Sequence, residues 1–438
     1  MAHFGILCPP LPGHINPMTV LARELMKRGH RVTFMGFPDM RAKLAEELSF
    51  IAFGEADWPL DSLQPYVARL ARLGGPLSLR RLITDLAGFT DTICRELPSV
   101  LDRVRPDFLI IDQADAASSL VATALSVPFV NVANALPLNI EQGVPPPVLP
   151  WQYDPSPKGV RRNMGGYRVA RLVERPITNV VRRHAERLGR KDIRFADEAW
   201  SELGQITQCV QGLDFPRQQL PRRFHYVGPI RSADSPLDLH LPNDGRPLVF
   251  CSLGTLQGSR LSIFQAVASA LARLNVNLII AHGGMLGERE VARLNGRAIV
   301  RSFVPQRALL AQCDLAITHC GFNTVLDALS FGVPMVGMPL TFEQPATGAR
   351  LQRVGAAEVI HRWRSPARIR KAVERVLGEP TYRDSAARLS AEIAAAGGVL
   401  RAVEIIEQCA GCVVPAAGAT MGHAEPSDAR DDSRSGNS

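Results

Sequence analysis

The chain has 438 residues, a formal net charge of +8, and a composition that is 46% hydrophobic but only 6% aromatic. Leu, Val, Ile and Ala are spread along its length, which excludes a collagen-like, low-complexity or wholly disordered chain. No uninterrupted apolar run reaches the ~18 residues of a membrane span, and Met1 to Pro10 lacks the basic and apolar regions of a signal peptide. The length suits either three domains or two α/β domains of roughly 200 residues. Eight cysteines, mostly inside apolar runs, read as reduced core residues of a cytoplasmic protein. Cys409-Ala-Gly-Cys412 matches C-x-x-C but has no second pair, so it is a weak redox or zinc signal.

Phe4 to Cys8 is a short apolar run, followed by Pro9-Pro10-Leu11-Pro12-Gly13-His14 and then a helical pattern. In that pattern Asn16 suits a cap, Pro17 the first helical position, and Gly29 the stop. A strand over Arg31 to Met35 completes a strand, loop, helix, strand unit, the mark of a parallel sheet covered by helices. Strands recur at Phe108 to Ile111 and Phe129 to Val132, before a proline-rich stretch from Gly143 to Pro157 that reads as a surface loop or lid. Arginines concentrate between Arg161 and Arg194. No aromatic residues interleave as a stacking platform, so nucleic acid is not expected; solvated helix faces, or weak attraction to anionic lipid or a phosphorylated substrate, remain.

A second break, Asp234 to Pro247, precedes a fresh α/β series with strands at Leu248 to Cys251, Leu278 to Ala281, Ala298 to Val300, Leu315 to Thr318 and Val333 to Val336. The expected division is residues 1–235, 246–385, a terminal helix over 386–412 that packs back on the first domain, and a disordered tail over 413–438. Two Rossmann-like halves with parallel sheets imply a central cleft beyond the carboxyl ends of their strands.

The residues richest in chemistry lie in Phe303-Val304-Pro305-Gln306, Thr318-His319-Cys320-Gly321-Phe322-Asn323-Thr324-Val325-Leu326-Asp327 and Thr341-Phe342-Glu343-Gln344. A strand ending at Thr318, a tight turn, and a helix from Asn323 to Phe331 deliver free backbone amides and a positive dipole end to the sheet edge. That is a phosphate site. His319, Asn323 and Thr324 are placed to donate to phosphate oxygens, Gly321 permits close approach, and Asp327 suits a ribose hydroxyl.

This run resembles the nucleotide-sugar signature of the UDP-dependent glycosyltransferases of GT-B fold that modify small lipophilic acceptors. The resemblance implies a site in which Phe303, with Val304 beside it, stacks on uracil, and Gln306 and Asp327 bind the ribose. It implies that His319, Asn323 and Thr324 hold the diphosphate, and that Glu343 and Gln344 bind the sugar hydroxyls. Plant members usually carry Trp at Phe303, Glu at Asp327 and Asp at Glu343; carboxylates of altered reach keep donor binding but leave the sugar less defined. Further stretches, among them Cys94 to Pro98, Ile111-Asp112-Gln113, Ala135 to Asn139, Leu213 to Arg217, Phe224 to Pro229 and Ser252 to Gly258, are similar to the bacterial zeaxanthin glucosyltransferases within that family.

Transfer to an alcohol needs a base. His14 follows the first strand, and an unperturbed imidazole near pKa 6.5 suits the task. Asp112 closes another strand of the same sheet and is placed to fix its tautomer; the family's base and supporting aspartate match these two positions. No D-x-D pair occurs, so metal-independent transfer is expected, with no cofactor beyond UDP-glucose as co-substrate. Thr255 is either a further phosphate contact or part of a plain turn. The leading expectation is an inverting glucosyltransferase acting on a lipophilic hydroxylated acceptor, most plausibly a carotenoid such as zeaxanthin, with Leu136 to Trp151 helping to line its groove. Peripheral contact with the inner membrane follows from such an acceptor. A macrolide, sterol or flavonoid acceptor, an epimerase and a non-catalytic nucleotide-sugar sensor are the alternatives; a dehydrogenase is disfavoured because no G-x-G-x-x-G follows the first strand.

Overall fold

The computed structural model describes residues 1–411 except 72–74, 235, 295 and 297. Cys412 and the tail expected over 413–438 lie outside the described residues. The first sheet contains β1 (His3–Leu7), β2 (Arg31–Gly36), β3 (Ser49–Ala52), β4 (Phe108–Asp112), β5 (Phe129–Ala133), β6 (Gln205–Thr207) and β7 (Phe224–Tyr226). The second contains β8 (Leu248–Ser252), β9 (Asn277–Ala281), β10 (Ala298–Arg301), β11 (Leu315–Thr318), β12 (Met335–Gly337) and β13 (Ala357–Val359). Every pairing is parallel, in the orders β3-β2-β1-β4-β5-β6-β7 and β10-β9-β8-β11-β12-β13. Strands β1, β4, β5, β8, β9 and β11 are buried along their whole length, because helices cover both faces of each sheet.

Each order reverses direction once, between β1 and β4 in the first sheet and between β8 and β11 in the second. Loops leaving neighbouring strands at such a reversal run to opposite faces and open a crevice. The segments that follow β1 and β8, and those that end or follow β4 and β11, therefore meet at the cleft.

Several local expectations are corrected. The first helix spans Pro12–Lys27, with Pro12 rather than Pro17 in its first turn and Leu11, not Asn16, as the residue before it. Pro17 lies inside the helix and has no N–H to give the carbonyl four residues back. That carbonyl belongs to Gly13, and it accepts instead from Asn323 Nδ2 of the second domain at 3.0 Å. The expected strand from Val333 starts at Met335, since Pro334 cannot donate to a ladder. The single terminal helix expected over 386–412 is two helices, Pro380–Ala395 and Gly398–Gly411, broken where Gly397 and Gly398 adopt φ of +87° and +55°. The second of these places Val403, Ile405 and Ile406 in one core with Phe4, Ile6 and Leu21 beside the first sheet.

The proline-rich stretch from Gly143 is not a lid over the cleft. Val144 packs against Phe215 and Ala349, so this segment braces the contact between the domains. Beside it Asp214 is held between Arg217 at 2.7 Å and Arg350 at 2.9 Å, with Arg350 fully buried and its guanidinium 4.2 Å from the Phe215 ring centroid.

Candidate active site

A cleft of about 700 Å³ opens between the carboxyl edges of the two sheets. It is lined by His14, Thr255, Gln306, His319, Gly321, Asn323, Thr324, Asp327, Glu343 and Gln344, ten of the residues singled out from the sequence. Asp112 stands directly behind His14, 1% exposed against 18% for the imidazole. His14 Nδ1 and Asp112 Oδ2 are 2.7 Å apart.

Asp112 also accepts from Ala114 N at 2.8 Å and from Asn134 Nδ2 at 2.7 Å. A carboxylate so engaged offers only acceptors, so His14 Nδ1 donates and Nε2 is left as the basic nitrogen facing the cleft. Burial works to lower the His14 pKa, but the charge and hydrogen bond of Asp112, with a smaller effect of Glu343, outweigh it and hold the pKa above the ordinary value. Burial in turn raises the Glu343 carboxyl, with His14 opposing that rise.

The polar groups at the ends of successive strands join into one chain. Asp112 ends β4, Asn134 follows β5, and Gln208 follows β6; Asn134 Oδ1 accepts from Gln208 Nε2 at 2.9 Å. Gln208 Oε1 accepts from Ile230 N at 3.0 Å and from Arg231 Nη1 at 2.6 Å, both beyond β7. Arg231 then crosses to the second domain, where Nε donates to Asp327 Oδ1 at 2.7 Å and Nη2 to Asn323 Oδ1 at 2.9 Å. Because β1, β4, β5, β6 and β7 are consecutive neighbours in the sheet, the chain follows its edge over four inter-strand spacings, roughly 19 Å.

In the second domain the turn after β11 carries Cys320 at φ +62°, a left-handed backbone that a non-glycine residue adopts only where its surroundings impose it. The helix Phe322–Ser330 starts at this turn, so its N-terminal end, with Phe322, Asn323 and Thr324, lines the cleft. His319 sits in a slot walled by two glycines. A Cβ on Gly321 would fall 2.3 Å from His319 Nε2, and one on Gly254, whose φ is +69°, 2.8 Å from Cε1. Gly321 thus makes room for His319. Burial pushes the His319 pKa down to about 4, so the ring is neutral near pH 7. Asp327 Oδ2 accepts from Gln306 Nε2 at 2.8 Å, which unites the two residues assigned to a ribose. Gln344 Oε1 accepts from the backbone of Leu340 and Thr341, both at 2.9 Å, and fixes the turn that presents Glu343.

Phe303 and Val304 are not among the residues lining the cleft. Phe303 is 69% exposed, its ring close to Gly284 at the surface. Leu136 to Trp151 are not among the residues lining the cleft. A second cavity of about 450 Å³ does offer an apolar lining, from Leu60, Leu63, Val67, Ala71, Leu256 and Met285, and it shares Lys43, Thr255 and Leu256 with the cleft. Thr255 therefore stands where the two spaces meet. Seven of the cysteines are buried, as expected. Among the described residues no three His, Cys, Asp or Glu side chains gather as a metal site, and no helix is long and apolar enough to cross a membrane.

Comparison with known proteins agrees with this architecture. Residues 168–393 match the family described as UDP-glucoronosyl and UDP-glucosyl transferase. The chain is 39% identical over 411 residues to zeaxanthin glucosyltransferase of Pseudescherichia vulneris, covering 93% of this chain and 98% of that protein. It is 35% identical over 415 residues to the zeaxanthin glucosyltransferase of Pantoea ananas, covering 93% and 96%. Among solved structures, the calicheamicin glycosyltransferase CalG4 superposes with a TM-score of 0.74 at 22% identity, over 95% of this chain and all of that one. The chain belongs to the UDP-glucosyl transferase family and has its two-domain GT-B fold, and it is a glycosyltransferase.

Proposed function

We propose that this enzyme moves glucose from UDP-glucose to a hydroxyl of a lipophilic acceptor, zeaxanthin or a related hydroxylated carotenoid, with inversion and without a metal ion. The observation that carries this reading is the His14–Asp112 pair facing, across one cleft, a helix N-terminus flanked by His319, Asn323 and Thr324. His14 Nε2 takes the acceptor's hydroxyl proton while that oxygen attacks the anomeric carbon. The bond from that carbon to the diphosphate oxygen breaks, and UDP leaves with the electron pair. Attack on the face opposite the leaving group inverts the configuration. The helix amides and the neutral His319 donate to the departing oxygens; Gln306 and Asp327 hold the ribose, and Glu343 and Gln344 the sugar. Phe303, exposed at the rim, is the residue left to stack on uracil.

The carotenoid acceptor rests on the two relatives named zeaxanthin glucosyltransferase. The apolar cavity beside Thr255 supports a lipophilic chain leading away from the reacting hydroxyl. Incubation of the protein with UDP-glucose and zeaxanthin in detergent micelles, without divalent metal, should give a product heavier by one or two hexoses. Release of UDP with no glycosylated carotenoid would contradict the acceptor.

Such an acceptor dissolves in lipid, which favours a cytoplasmic enzyme held peripherally on the inner membrane. Exposed Val169, Leu172 and Val173 end a helix that also exposes Arg161 and Arg168, a mixture suited to an anionic lipid surface. Sedimentation with membranes at low salt and release at high salt is expected; a protein wholly in the supernatant at low salt would contradict it.

A further inference from the structure

We propose that Arg231, in the connection between the two sheets, is a positioning residue that ties the donor half of the cleft to the base. This rests on the transfer reaction proposed above. Three of its guanidinium's hydrogen bonds reach side chains: Nε to Asp327, Nη2 to Asn323 and Nη1 to Gln208. Asp327 and Asn323 belong to the donor wall, whereas Gln208 begins the path to Asp112.

Polarity along that path admits one arrangement. A guanidinium only donates and a carboxylate only accepts, while each side-chain amide has a donor end and an acceptor end. Arg231 at one terminus turns Gln208 so that Oε1 accepts and Nε2 faces Asn134. Asn134 must then offer Oδ1 to Gln208 and Nδ2 to Asp112. Without Arg231 the Gln208 amide keeps the Ile230 N–H and Asn134 Oδ1 but loses the charged donor on Oε1, the one that links it to the donor wall. Asn134 and Gln208 are buried, at 2% and 0% exposure, so water cannot easily replace a misdirected partner. Arg231 itself is 17% exposed and lines the cleft, where a diphosphate and ribose would arrive.

The test uses the full chain with Arg231→Met, Arg231→Lys, Asn134→Ala and the Arg231→Met/Asn134→Ala double variant. UDP affinity by calorimetry, and kcat and donor KM against pH with zeaxanthin as acceptor, are the readouts. Arg231→Met should weaken UDP by about tenfold or more and shift the acid limb of the kcat profile. Its loss in kcat should shrink in the Asn134→Ala background, because both changes cut one path. Arg231→Lys keeps the charge but not the three-way fork, so it should recover UDP binding more than the pH profile; it also serves if the Met variant fails to fold. Wild-type UDP affinity in the Arg231 variants, or kcat losses that simply multiply in the double variant, would overturn the proposal. If the wild-type protein transfers no glucose, the reading of the reaction fails, while UDP affinity still decides the donor half of Arg231's role.

Discussion

His14 Nδ1 lies 2.7 Å from Asp112 Oδ2, although 98 positions separate the two in the chain. Strands β1 and β4 are neighbours at the point where the first sheet reverses direction, and this adjacency alone brings the pair together. The carboxylate orients the ring and raises its pKa against the opposing effect of burial.

Replacing Asp112 with Asn should therefore do two things. The rate should fall by about 10²-fold or more, since the amide no longer secures the tautomer with Nε2 free. The base must be unprotonated to act, so activity rises with pH through its pKa. Loss of the carboxylate that raises this pKa should move the acid limb of kcat/KM to lower pH. A variant profile with its limb at the wild-type position would contradict the role given to Asp112.

Gly321→Ala tests the slot around His319. The backbone there, at φ −61°, accepts any residue, but the new Cβ would fall 2.3 Å from His319 Nε2. The imidazole has to move, and its N–H with it. Donor KM should rise by about tenfold or more, as expected when one hydrogen bond to a charged group is lost, while thermal unfolding changes by far less than for a core cavity. An unchanged donor KM would show that His319 does not touch the nucleotide sugar.

The buried Asp214 pair should be visible in stability against pH. Burial opposes ionisation of Asp214, but Arg350 and Arg217 prevail and hold its pKa down to about 2. In the unfolded chain the group returns to ~3.9. The folded pKa is the lower one, so its contribution is fully present above about pH 4 and is lost as pH falls toward 2. Asp214→Asn should destabilise the protein at pH 7 by about 3–5 kcal/mol, because two buried guanidinium groups lose their counter-charge. It should also flatten the fall in unfolding temperature between pH 4 and 2. An equally steep fall in the variant would place the acid sensitivity elsewhere.

Much of this site was legible in the sequence because its motifs sit on long, strongly apolar strands. β1, β4, β8 and β11 announce themselves; His14, Thr255 and His319, which follow three of them, reach the cleft by topology, and Asp112, which ends β4, stands behind His14. Arg231, Asn134 and Gln208 escaped notice for the converse reason. β6 and β7 are three residues each, Gln-Ile-Thr and Phe-His-Tyr, with no apolar run to mark them. Without those strands in the sheet order, the polar residues at their ends form no visible row. The apolar cavity was missed similarly, since Leu60 to Ala71 carries no motif and meets Leu256 and Met285 only through packing of the domains. Pro17 misled in an instructive way: read as a helix start, it is an internal residue whose missing N–H leaves Gly13 free to bind Asn323.

The most direct test is glucosyl transfer by His14→Ala, measured beside its affinity for UDP. Loss of product formation by about 10²- to 10⁴-fold, with UDP bound nearly as in the wild-type protein, is the expected result. Turnover retained at the wild-type rate would contradict it and place the base on another residue of the cleft.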